Sequence, residues 1–107
     1  MAVAILTRPQ QMSSAFALDL VQQYAKYEIA DVLEATHPYL VYGEVGMCWR
    51  VPLTLKNPIT HNDESVDHID VEVHTGHVHV DEEKAQQLRL KAYNLFKAHL
   101  LYKNQLM

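Results

Sequence analysis

The stretch HIDVEVHTGHVHVDEE, His68 to Glu83, carries four of the chain's seven histidines and five carboxylates. Its apolar and polar residues alternate, and alternation at period two is the signature of a half-buried strand. If Thr75-Gly76 is a two-residue turn between strands at 66–73 and 77–80, His74 faces His77, Val73 faces Val78 and Glu72 faces His79 across an antiparallel ladder. Ile69, Val71, Val73, Val78 and Val80 then share one face. His68, Asp70, Glu72, His74, His77, His79 and Asp81 share the other. A one-residue slip would mix the two sets, so the pattern itself holds the register. A three-residue loop with Gly76 in a bulge is the competing arrangement.

Working outward, Asp81 caps a helix predicted over 82–104, with Glu82 and Glu83 in the first turn, where negative charge is favoured. Ala85, Leu88, Ala92, Leu95, Phe96 and Tyr102 form its apolar stripe. Upstream, NPITHNDES (57–65) reads as a long polar loop. Residues 47–56 alternate, with Met47, Trp49, Val51, Leu53 and Leu55 on one face and Cys48, Arg50, Pro52, Thr54 and Lys56 on the other. Pro52 has no N–H for a ladder and predicts an edge strand or a bulge. Residues 39–45 form another strand, with a tight turn at Gly46. A helix is expected over 13–36, capped by Ser13 or Ser14, with Leu18, Val21, Ala25, Ile29 and Val32 at helical spacing, broadened by Phe16, Leu20, Tyr24 and Tyr27. It ends before Pro38, which disfavours helical geometry at His37. Residues 1–11 are a tail or a short strand. The expected fold is α+β. A four-stranded antiparallel sheet, in the order α-β-β-β-β-α, carries its N-terminal and C-terminal helices on one face as a two-layer sandwich.

The length of 107 residues suits one domain, 1–107, and a hydrophobic fraction of 49% supplies a core. A domain this small has little room for a large internal cavity, and a homo-oligomer would help it. The net charge of −4 and the scattered Lys and Arg argue against nucleic acid as a partner. Cys48 is the only cysteine, so no internal disulfide and no cysteine-based zinc site can form. The apolar run in MAVAILTRPQQ is too short for a secretion signal, and no segment has the ~20 apolar residues of a membrane span. A soluble, cytoplasmic protein is expected.

The histidines admit three readings. Glu72, His77 and His79, or His74, His77 and His79, could converge on a divalent transition metal, for which imidazole and carboxylate are good ligands. The same residues could instead form the solvated side of a hairpin, since a flat sheet face offers a catalytic metal neither pocket nor support. Clustered imidazoles could also loosen a docked partner in acid. His61, Asp63 and Glu64 in the polar loop have the groups for acid–base work but read better as a solvated surface. Cys48 lacks any nucleophile signature, Trp49 reads as a core anchor, and Tyr24, Tyr27, Tyr39 and Tyr42 as core or core-edge residues. The sequence contains no phosphate-binding glycine loop, nucleophile elbow or HExxH, which lowers any enzymatic reading.

The run Val71-Glu72-Val73-His74-Thr75-Gly76-His77-Val78 resembles the V-D-x-x-T-G-x-V hairpin of PepSY-like domains and of small bacterial immunity proteins. Trp49-Arg50-Val51-Pro52 resembles the strand that precedes it. The chain departs from that pattern at Glu72, where Asp is usual, and at His74 and His77, where Lys, Glu or Arg are usual. PepSY domains are usually exported or membrane-associated, unlike this chain. The resemblance implies a small binding or inhibitory module and transfers no catalytic residue. The expected function is therefore non-enzymatic protein binding through His68, Asp70, Glu72, His77 and His79 on the sheet or His61, Asp63 and Glu64 in the loop. Metal binding by Glu72, His74, His77 and His79 is the alternative.

Overall fold

A computed structural model describes residues 12–43 and 46–106, with side chains through residue 101. The expected tail or strand at 1–11 and the last two residues, 44–45, of the strand expected over 39–45 lie outside the described residues. Helix α1 spans Ser14–Tyr24. The Ser13 hydroxyl accepts from the Phe16 N–H at 3.1 Å, which satisfies one of the first-turn donors. The helix widens into a π-turn over Ala25–Ile29, where the Ala30 N–H reaches back five residues to the Ala25 carbonyl.

Here the chain departs from the helix expected to residue 36. Ala30 is extended, and the Gln22 side chain takes over the turn. Its amide donates to the Leu33 carbonyl at 3.1 Å, and its carbonyl accepts from the Ala35 N–H at 2.8 Å. These bonds draw Glu34–Ala35 into a short strand, β1, that pairs with Thr54 and Leu53. Ala17, Val21 and Ala25 are the buried residues of α1 and its π-turn, whereas Phe16 and Tyr27 are exposed. The apolar stripe is thus narrower than the sequence suggests.

Strand β2 (Tyr39–Gly43) pairs with β3 (Gly46–Lys56), which pairs on its other side with β4 (Asp63–Glu72), all antiparallel. The four strands and two helices give the expected α+β architecture. Strand β3 is central, which corrects the edge position expected from Pro52. One flank of β3 is met by β2 over Met47–Arg50 and by β1 over Leu53–Thr54. Pro52 falls in the gap between them, where its carbonyl accepts from the Thr36 N–H. In an antiparallel strand the N and O of a residue point the same way, so the missing donor faces this gap and costs no bond to β4. A register shift follows at Leu53/Thr54 and leaves Val66 of β4 without a partner. This bulge lies on β4 and not at Pro52, which stays in register with His68.

The fourth strand expected at 77–80 is reduced to a single bridge, Val71 to Val78. The turn also differs. The Glu72 N–H donates to the His77 carbonyl and the Gly76 N–H to the Glu72 carbonyl, closing a four-residue loop, 73–76. Buried Val73 causes the change. Its N–H goes to the Met47 carbonyl of β3 and its carbonyl accepts from the Met12 N–H, so neither is left for Val78. The pairing moves by two residues, which preserves the sorting of faces. Gly76 adopts a φ of 75°, which glycine reaches at no steric cost.

Helix α2 spans Glu82–Leu106, and the Asp81 carboxylate accepts from the Lys84 N–H at 2.7 Å. Ala85, Leu88, Ala92 and His99 are buried, with Leu95 half-buried between them. Both helices pack on the same side of the sheet, around a core that includes Ala17, Val21, Leu33, Val51, Leu53, Leu55, Ile69, Val71, Leu88 and Ala92. The other side of the sheet carries no helix among the described residues. No described helix is long and apolar enough to cross a membrane.

Candidate interaction surface

The uncovered face is ordered by the ladder. Tyr39, Arg50 and Asp70 align across β2, β3 and β4, and the His79 N–H donates to the Asp70 carbonyl to extend the row. Val41, Cys48 and Glu72 form the next row, continued by His77. His68 follows beside Pro52. The Arg50 guanidinium grips both oxygens of Asp70 at 2.9 Å each, a fork-on-fork geometry on two rigid strands. That hydrogen-bonded cation holds the Asp70 carboxyl below the usual carboxylate range, and Asp70 in turn pushes Arg50 further up. Burial and the Arg50 charge press the His68 imidazole below its ordinary value. Burial, then Asp70 and Glu72, push the Cys48 thiol up, so it stays protonated beneath the polar layer.

The Glu72 carboxylate lies 3.1 Å from His79 Nε2. The contact is close but misaligned for a hydrogen bond, and Nε2 is buried without another partner among the described residues. The His77 ring meets His79 edge to face, with centroids 4.8 Å apart. His77 and His79 also line a shallow hollow with Val80, Asp81 and Lys84, at the start of α2.

His74 departs from its expected place. Because the turn begins at Val73, His74 is carried beside Met12, Ser13 and Phe16, away from His77. Among the described residues no three His, Cys, Asp or Glu side chains converge as metal ligands. Glu72, His77 and His79 are neighbours and His74 is not. No known protein family matches this chain, and neither the curated proteins nor the solved structures contain a significant relative.

The polar loop is shorter than expected, 57–62, because β4 starts at Asp63. Asn57 organises it, with its side-chain oxygen accepting from the N–H groups of Ile59 and Thr60. His61 is exposed in the left-handed region at φ 63°, and Asp63 is exposed opposite Lys56. Glu64 is different. The bulge at Val66 places it opposite Leu55, on the helix-covered side. There its carboxylate accepts from Asn57 Nδ2 at 2.8 Å and meets His99 Nε2 at 2.9 Å. Both hydrogen bonds hold Glu64 below the usual carboxylate range, Asn57 contributing most. Asp67 also faces inward, opposite Leu53, and binds Lys91 of α2 at 2.8 Å. Burial works to raise Asp67, but hydrogen bonds from Lys91 and from the His68 N–H outweigh it, and the carboxyl is lowered overall.

Sequence reasoning missed Arg50 as part of the surface and missed both links from β4 to α2. Arg50 was readable by its place on the polar face of 47–56. The Glu64 link depends on the bulge, which no residue pattern announces, whereas Asp67 shares the parity of Ile69 and Val71 and was readable as inward.

The sign of the pH response follows. A histidine lowered in the folded state favours folding when neutral, so its contribution is lost as pH falls below its unfolded value of about 6.5. A carboxylate lowered in the folded state stabilises above its unfolded value, about 4, and loses that contribution as pH falls further. Stability should therefore decline in two stages on acidification, the first from His68, the second from Asp70, Asp67 and Glu64. Urea midpoints measured from pH 8 to pH 3 check this. Asp70→Asn should lower stability by about 1–2 kcal/mol at pH 7 and shrink the second stage. An unchanged acid limb in that variant would refute the role given to Asp70.

Proposed function

We propose that the protein is a small non-enzymatic binding module, inhibitor-like or immunity-like, that engages another protein through the outer face of its sheet. The supporting observation is the arrangement of that face. Arg50, Asp70, His68 and Glu72 stand on paired strands whose other side is fixed to two helices, and His77 and His79 flank the single bridge at Val78 beside them. Side chains held this way lose little freedom on docking, which favours binding by a preorganised surface. The Thr75-Gly76 hairpin resemblance points to the same class of module. The loop around His61 and Asp63 is the adjoining surface that such a partner would reach.

Affinity capture from cells tests the reading. A partner retained by the wild-type chain should be lost by Glu72→Lys/His77→Glu and kept by Gln23→Ala on exposed α1. Equal recovery by all three would sink it. The alternative, a divalent transition metal on Glu72, His77 and His79, would require these side chains to rearrange, because no three such ligands converge among the described residues. Zinc or nickel titration followed by the histidine ring signals distinguishes it, since stoichiometric shifts confined to His77 and His79 are expected only from a site.

A further inference from the structure

Helix α2 has two seams. The inner one, Ala85, Leu88, Ala92, Leu95 and His99, faces the sheet. The outer one runs Glu83, Gln86, Leu90, Tyr93, Lys97 and Leu100, again at spacings of three and four, and all six side chains are exposed. Leu90 is 60% exposed and Tyr93 61%, and Leu100 further along the seam 43%. Leu90 and Tyr93 form an exposed apolar pair at the middle of this seam, with polar and charged residues before and after them, an arrangement suited to a small contact with a polar rim. Heptad-like spacing of this kind is what a partner helix reads.

The charges select the partner. Glu83 opens the outer seam and Lys97 follows near its far end, at equal sequence distances on either side of Leu90. A two-fold axis through Leu90 would lay a second α2 antiparallel on the first. Glu83 of each copy would then meet Lys97 of the other, with the Leu90 and Tyr93 side chains packed between. A parallel copy would instead oppose Glu83 to Glu83 and Lys97 to Lys97. The antiparallel pairing also opposes the two helix dipoles, whereas a parallel pair would align them. A surface whose own reversal is its complement fits a symmetric dimer, in which the same patch serves both subunits.

We infer that this chain forms a homodimer through antiparallel contact of the outer seam of α2, the Glu83–Lys97 pairs fixing the alignment. The outer sheet face is left free by this arrangement, so the inference stands independently of the proposed function.

Sedimentation equilibrium with circular dichroism tests it. The wild-type chain should show a concentration-dependent monomer–dimer equilibrium. Leu90→Glu, at an exposed position, should raise the dissociation constant by about a hundredfold or more with the helical signal of the monomer retained. Glu83→Lys and Lys97→Glu should each weaken the dimer, and the double swap Glu83→Lys/Lys97→Glu should restore it, because reversing both charges keeps opposite signs opposed. A wild-type chain that stays monomeric, a dimer unmoved by Leu90→Glu, or a double swap weaker than either single variant would each overturn the inference.

Discussion

Leu88→Ala should lower stability by about 2–5 kcal/mol, the cost of a lost isobutyl group and the space it leaves in a core that cannot fully close. Leu88 is fully buried and is the largest side chain that α2 places in the core cluster. Its inner-seam neighbours Ala85 and Ala92 are small, so neither can swing in to refill the space. A chain of this length has about 5–15 kcal/mol in all, so the loss is a large share of the total. The melting temperature should drop by roughly 10–25 °C. Leu40→Ala, at an exposed position on β2, should move stability by no more than about 0.5 kcal/mol. Thermal and urea unfolding of the two variants side by side check this. Equal effects would mean that α2 is not held to the sheet through Leu88.

Gly76→Val should cost about 2–3 kcal/mol. Two causes act together. The backbone at Gly76 has φ 75°, which a branched side chain resists, and a Cβ there would come within 2.9 Å of the Met12 terminal methyl. The methyl ends a flexible side chain and can move, so the backbone conformation should dominate. Gly76→Asn should therefore lose clearly less than Gly76→Val, since asparagine tolerates the left-handed region. Adding Met12→Ala to the valine variant should recover only the steric share. Urea midpoints for the three variants decide the matter, and equal losses for asparagine and valine would show that the turn does not depend on this backbone state.

The turn shows how far a sequence reading can reach. The valines and isoleucine of His68–Glu83 were assigned to the core side and its histidines and acids to the other, and that sorting survives a register change of two residues. The assumed two-residue turn does not survive, because Val73 is already bonded to β3 and to Met12. Similarly, the spacing of α1 marked Val21 and Ala25 as inward, but nothing in it revealed that Gln22 would end the helix by bonding across to Leu33 and Ala35. For the candidate surface, His68, Asp70, Glu72, His77 and His79 were legible from alternation alone. His74 was misplaced by the turn, and Glu64 by the bulge.

Alternation and helical spacing are local properties, repeated along the chain, and they alone determined that this is an α+β domain with one apolar sheet face and one polar, histidine-bearing face. Which backbone groups remain free for a given pairing is settled only when distant segments meet. The tertiary structure therefore decided the four-residue turn, the central place of Pro52 and the inward rotation of Glu64 onto His99. It also decided that no described helix covers the histidine face, because both helices turn their apolar stripes to the opposite side of the sheet.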